Sequence, residues 1–170
     1  MKKTSYILSR RTKKFFKLPF SKKLVLFETF FMLGIGRITA LLFPIGRIER
    51  IVESGNHKCE RKSLYKGTDS TECTSEDDPR SMAKIDLVKW SVAVMSRHTP
   101  WKSNCFAQAL AAHKMLIRRG IPSTLYFGVA KEEEGAMVAH AWLMYTDTVI
   151  TGENERKRFS TVMQIGCEQK

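Results

Sequence analysis

Apolar positions recur at helical spacing through most of the chain up to Arg118, and at a period of two after Pro122. Residues 24–43, LVLFETFFMLGIGRITALLF, read as an apolar helix. A Lys/Arg-rich lead and Pro19 precede it, Ser21 is its candidate cap, and Pro44 and Gly46 interrupt it. Residues 54–80, SGNHKCERKSLYKGTDSTECTSEDDPR, are polar, turn-forming and almost free of aliphatics, which is linker composition. From 81 onward the chain becomes dense again. IDLVKWSVAVMS sets Ile85, Val88, Trp90, Val92 and Met95 at mostly helical spacing. PWKSNCFAQALAAHKMLIRRGIP then predicts a helix entered at Asn104, with Arg118 and Arg119 at its negative end and Gly120, Ile121 and Pro122 as its stop.

The alternation that follows predicts strands. In STLYFGVA, residues Leu125, Phe127 and Val129 share one face; KEEEG is a charged turn; AMVAHAWLMY is a second strand, and Thr146-Asp147 closes a hairpin into TVIT. The order of helices followed by a three-stranded antiparallel meander defines an α+β chain. It divides into a basic helical segment at 1–53, a polar linker at 54–80 and a domain at 81–170. There are no internal repeats.

Composition adds two constraints. The net charge of +12 is concentrated at the front: residues 1–50 carry twelve Lys and Arg against Glu28 and Glu49, so 12 − 2 = +10 of the excess lies there. Cys59, Cys73, Cys105 and Cys167 show no disulfide-framework spacing, and no secretory signal with a small-residue cleavage site is present, which points to a reducing cytoplasm. Residues 24–43 come closest to a membrane span. Glu28 and Arg37 break that stretch into runs too short for about 30 Å of hydrocarbon, so a helix lying on a membrane surface or on a partner is the better expectation.

The chemistry concentrates on Cys105. A helix first turn with a cysteine where capping residues are usual is an arrangement that ionises a thiol, because the helix N-terminus stabilises the thiolate. The amides exposed at the same end can donate to an oxyanion. The meander supplies a base, His140, between Ala139 and Ala141 in the middle strand. With Thr146 and Asp147 as the turn, Tyr145 faces Thr148 and His140 faces Glu153, close enough for the carboxylate to fix the imidazole tautomer. Cys105, His140 and Glu153 are therefore the candidate catalytic set. Taken singly each has a plainer reading, as a small buried hydrophobe, a core histidine and a solvated charge; their three positions together favour catalysis. His98 and His113 are competing bases, and His113 lies two turns along the helix from Cys105. Asp147 is an acid of the right type several strand residues from His140.

Other sites are weak. His57, Cys59 and Cys73 fit no zinc spacing and lack a fourth ligand. GIGR at 34–37 lacks the ending and the preceding strand of a phosphate loop. The basic region has no stacking pattern of aromatics, so nucleic acid is not an expected partner.

CFAQALAAHKMLIRRGIPSTLYFGVA, AHAWL and VITGENERKRF together resemble the transglutaminase-like cysteine peptidase domain of lasso peptide biosynthesis proteins of the B type, a domain that also forms the C-terminal part of the microcin-processing protein. LPFSKKLVLFETFFMLGIGRITALLFPIGR is similar to that family's helical lead. The resemblance implies a papain- or transglutaminase-like core, with the nucleophile helix packed on a small antiparallel sheet. The implied activity is removal of the leader from a ribosomally made precursor, so that a partner ATP-dependent, asparagine-synthetase-like cyclase can close the lasso macrolactam. No cofactor or metal is implied. The family's cysteine and histidine map onto Cys105 and His140. Its third residue is usually an aspartate near the hairpin end, where this chain has Thr151-Gly152-Glu153. Either Glu153 substitutes, or a backbone carbonyl serves a Cys–His dyad. Residues 1–53 lack the strands of the family's leader-binding domain, so a separate leader-recognition protein is implied. The N-terminal charge suits that protein, a membrane surface or exporter, or an acidic leader.

Overall fold

A computed structural model describes residues 18–64, 79–132, 135–153 and 156–166. Four helices precede a sheet: α1 (Phe20–Leu42), α2 (Ile45–Leu64), α3 (Pro79–Met95) and α4 (Cys105–Arg118). The strands are β1 (Thr124–Lys131), β2 (Met137–Tyr145), β3 (Thr148–Thr151) and β4 (Ser160–Ile165), with a 3-10 turn at Arg156–Arg158 before the last. The protein is thus an α+β chain whose antiparallel sheet has the order β3-β2-β1-β4.

Helix α4 is the centre of the molecule. Asn104 caps it, its side-chain oxygen accepting from the Ala107 amide at 3.0 Å, as its position just ahead of the helix leads one to expect. At the other end the Gly120 amide donates to Ile117 and the Ile121 amide to Leu116, both at 3.0 Å, the paired bonds of a Schellman stop. Between the ends, Ala107, Ala109, Leu110, Ala111, Ala112, Met115 and Leu116 are all buried. Alanines around so much of the circumference let neighbours approach on several sides. One side takes the inner face of the sheet, Leu125 and Leu143, and another takes α1.

The α1–α4 approach is close. A Cβ on Gly36 would lie 2.6 Å from the Ala107 carbonyl oxygen, so only glycine fits the crossing. Inside the seam the Thr29 hydroxyl meets that of Ser91 at 2.9 Å, and Ser91 donates on to the Val88 carbonyl, tying α1 to α3. Glu28 is held by Arg119 at 2.6 Å and Arg118 at 3.5 Å, at the C-terminal end of α4. By length and composition alone α1 could cross a bilayer, yet these bonds fasten its inner face to the rest of the chain.

Three details depart from the sequence expectation. The first concerns caps and core: α1 begins after Pro19, with no side-chain cap from Ser21, and Trp90 lies half-exposed under the Lys22 ammonium while Ser91 takes the buried position. Second, α2 continues through residues 54–64, where composition predicts a linker, and Val52 and Asn56 of this helix turn inward. Asn56 donates to the Ser123 carbonyl at 3.1 Å. Residues 65–78, the rest of that stretch, lie outside the described residues, and α3 opens on Pro79, a residue suited to a first helical position. Third, β4 adds an edge strand. Its residues 160–164 are exposed, so it lacks the half-buried alternation that marks β1.

His113 is buried in the α2–α4 seam, with Nδ1 at 2.9 Å from the Ser123 hydroxyl and a hydrogen bond to the Val52 backbone. Burial is the largest influence on it, the Lys114 charge adds to the effect, and its pKa falls to about 4.

Two outcomes follow for stability. Gly36→Ala gains about 1 kcal/mol of helix propensity but drives a methyl into backbone, and should lower unfolding free energy by a net ~1–3 kcal/mol in urea titrations. Because the unfolded chain binds a proton at His113 near pH 6.5 and the folded chain only near 4, stability should be full above 6.5 and fall as pH drops through that window. Between pH 7.5 and 5 the loss is on the order of 2 kcal/mol, and His113→Gln should flatten that slope relative to the parent.

Candidate active site

The helix start is built by the loop before it. The Thr99 hydroxyl lies 2.9 Å from both the Trp101 carbonyl and the Ser103 hydroxyl, Gln108 reaches back to donate to the Ser103 carbonyl at 2.8 Å, and Arg37 of α1 donates to the Lys102 carbonyl. Trp101 packs on Phe30, ring centroids 5.1 Å apart, and covers Gly34. Cys105 therefore occupies the first helical position on a fixed loop, half-buried and in no disulfide. Asn104 satisfies the Ala107 amide, so the amides of Cys105 and Phe106 are the first-turn donors that the helix itself leaves over.

The next residue along, Phe106, touches Phe127 of β1 at a centroid distance of 5.2 Å. Phe127 pairs with Ala141 of β2, and His140 is the adjacent residue. The start of α4 and the His140 stretch of β2 are thereby brought to the same region of the sheet. Alternation sends the His140 ring to the other face, opposite Gly128, between Trp142 and Phe159. The ring is stacked 5.0 Å from Phe159. Gly128 makes this seat possible, since a Cβ there would fall 2.8 Å from Trp142 and 2.9 Å from Phe159. The imidazole Nε2 lies 3.3 Å from the Gly152 carbonyl, a bond in which the ring N–H must donate; among the described residues no thiol–imidazole hydrogen bond is formed.

Glu153 does not meet His140. The hairpin begins in the expected register, Tyr145 with Thr148 and Met144 with Val149, and then slips, so that Leu143 pairs with Thr151. Ile150 is the extra residue. Both Ile150 and Thr151 are buried, which strict alternation forbids and a bulge permits. Gly152 then turns the chain with φ at +79°, and Glu153 leaves the sheet. Its exposed carboxylate is 2.9 Å from the Lys89 ammonium of α3, whose hydrogen bond and charge lower its pKa.

Gly152 is one residue that meets the imidazole. A Cβ on it would stand 2.9 Å from His140 Nε2 and 2.8 Å from the Trp142 Cβ, so this position points at the ring and has no room for a side chain. The sequence signal for it is a glycine at the very end of a short strand, readable as a turn but not as a contact. Asp147, His98 and His113 each stand apart from the site. Asp147 sits exposed in the hairpin turn, the exposed His98 ring is bonded to the Val94 carbonyl of its own helix at 2.7 Å, and buried His113 serves the α2–α4 seam. Among the described residues no group of His, Cys, Asp and Glu could hold a metal ion. The side chains of His57, Cys59 and Cys73 are outside them.

Gly152→Ala should move the His140 ring resonances in a histidine-selective NMR spectrum and lower stability by ~1–3 kcal/mol, the usual range for an overpacked site. Glu153→Gln, by contrast, should leave those resonances and the melting temperature where they are, since it removes an exposed ion pair.

Comparison with known proteins adds one finding: a family profile described as the transglutaminase-like superfamily matches residues 59–164, from within α2 to the end of β4. No curated protein and no solved structure gives a significant match.

Proposed function

The chain belongs to the transglutaminase-like superfamily, whose members are typically cysteine-dependent enzymes, and from that premise we propose that it is a cysteine peptidase that cleaves the leader from a lasso-peptide precursor. The observation that carries the proposal is Cys105 at the first position of the capped central helix, whose next residue, Phe106, packs on Phe127 of β1 opposite the neighbour of His140 in β2. The lasso assignment rests on the likeness of the motifs around Cys105, His140 and the hairpin end to that family.

In this reading His140 is held by Nε2–H in the tautomer that leaves its basic lone pair on Nδ1, and the Gly152 carbonyl does what an acid does elsewhere. Nδ1 takes the Cys105 proton, a step that the helix N-terminus favours by stabilising the thiolate. Sulfur attacks the scissile carbonyl carbon, and the Cys105 and Phe106 amides donate to the oxygen as it gains charge. The C–N bond breaks, the imidazolium gives its proton to the leaving amine, and the leader remains as a thioester on Cys105. Water, deprotonated by His140, then releases the leader acid and restores the thiol. The amine set free is the new N-terminus of the core peptide, which the cyclase joins into the macrolactam. Thiol and imidazole are not hydrogen-bonded in the free chain, and in this reading they come within reach of one another only when the precursor binds. A separate leader-recognition protein delivers that precursor.

Cys105→Ala and Cys105→Ser should abolish release of the leader, followed by mass spectrometry with precursor and recognition protein present, without changing the circular dichroism spectrum. Glu153→Gln should stay within about twofold of the parent rate, because an exposed ion pair to Lys89 takes no part in the proton transfers. Cleavage by the Cys105 variants at the parent rate would remove the proposal. A leader recovered joined to an added amine, in place of the free acid, would identify an acyltransferase.

A further inference from the structure

Helix α1 has a second face that the core does not use. From Leu24 to Leu42 every residue of the helix with high exposure is a large hydrophobe, among them Leu24, Phe27, Phe31, Ile35, Ile38 and Leu41. Leu41 is 70% exposed and Phe27 66%. Their spacing of three and four residues keeps them in one stripe along a helix of 23 residues, about 34 Å at 1.5 Å per residue. A continuous apolar stripe along a whole helix is the kind of exposed patch that marks an interaction surface.

The charges around the stripe say what covers it. Glu28 is the sole acid in α1, and it is turned inward onto Arg118 and Arg119. What borders the stripe is mainly cationic: Lys22 and Lys23 lie at its start, Arg37 alongside, and Arg47 and Arg50 just beyond with Glu49 between them, while residues 1–17 before it add seven Lys and Arg and no acid by sequence. Two copies meeting along this face would bring like charges together, whereas an anionic bilayer offers both a hydrocarbon boundary and the opposite sign. The helix cannot cross that bilayer while Thr29, Glu28, Gly36 and Arg37 hold its inner side to α3, α4 and the loop before Cys105.

We propose that α1 seats this protein in the interface of an anionic membrane, lying in the plane with the stripe of Leu24, Phe27, Phe31, Ile35, Ile38 and Leu41 in the acyl boundary. The proposal is independent of the reaction at Cys105. It gives that reaction a location, because Trp101 and Lys102, on the loop that leads into Cys105, rest on the flank of the same helix.

The test is sedimentation of the full chain with vesicles of equimolar phosphatidylcholine and phosphatidylglycerol, against vesicles of phosphatidylcholine alone. Partitioning should be at least about tenfold stronger into the anionic vesicles near 0.1 M salt and should weaken as salt is raised. The double variant Phe27→Asp, Ile38→Asp should lose it by a similar factor. Both positions are exposed, so its melting curve should match the parent. No sedimentation of the parent with anionic vesicles would overturn the proposal, as would undiminished sedimentation of the double variant. A parent that light scattering shows to be a dimer in lipid-free buffer, and that the double variant makes monomeric, would assign the stripe to a second copy instead.

Discussion

The contact between Gly36 and the Ala107 carbonyl sets how the rest of the chain is arranged. Helix α4 has to be approached by α1 on one side and by the inner face of the sheet on another, and a side chain at 36 would hold α1 off. Because the approach is made, Thr29 reaches Ser91, Glu28 reaches Arg119, and Arg37 reaches the carbonyl of Lys102. The first fixes α3 and the second the C-terminal end of α4. The third fixes the loop that delivers Cys105. A buried crossing in the first turn of α4, two residues from Cys105, thus helps determine where the thiol stands.

The other half of the site depends on the sheet in a similar way. His140 owes its position to two glycines on neighbouring strands: Gly128 leaves space for Trp142 and Phe159 to flank the ring, and Gly152 lets the chain end β3 directly against Nε2. Family membership supports a cysteine-dependent enzyme, and the proposed roles of Cys105 at a helix terminus and His140 on a strand rest on this geometry.

Much of this is legible in the sequence. The limits of α4 can be read from Asn104 and from Gly120-Ile121-Pro122, because caps and stops act locally and each involves residues within one turn. The Thr146-Asp147 turn is legible for the same reason. The bulge at Ile150 is not: it depends on whether Ile150 and Thr151 are both buried, which α3 and α4 decide from across the chain. That single extra residue separates Glu153 from His140. The helical run of 54–64 is concealed by its polar composition, which a helix and a linker can share. Strand β4 is concealed by its exposure, which removes the alternation on which strand recognition depends.

A main-chain carbonyl against the His140 ring has consequences of its own. The Gly152 oxygen has no proton to gain as the solution becomes acidic, so its capacity to accept from the ring N–H does not depend on any titration of its own. It carries a partial charge where a carboxylate carries a full one, and therefore stabilises an imidazolium less while fixing the direction of the ring as firmly. It also cannot be deleted by exchanging one side chain for another. Point mutation can only shift the backbone that carries it, and at a position with φ of +79° and Trp142 within 2.8 Å of any added Cβ, almost every substitution does. The carbonyl that accepts from His140 is therefore protected from chemical change and exposed to steric change, the reverse of the situation for an aspartate side chain.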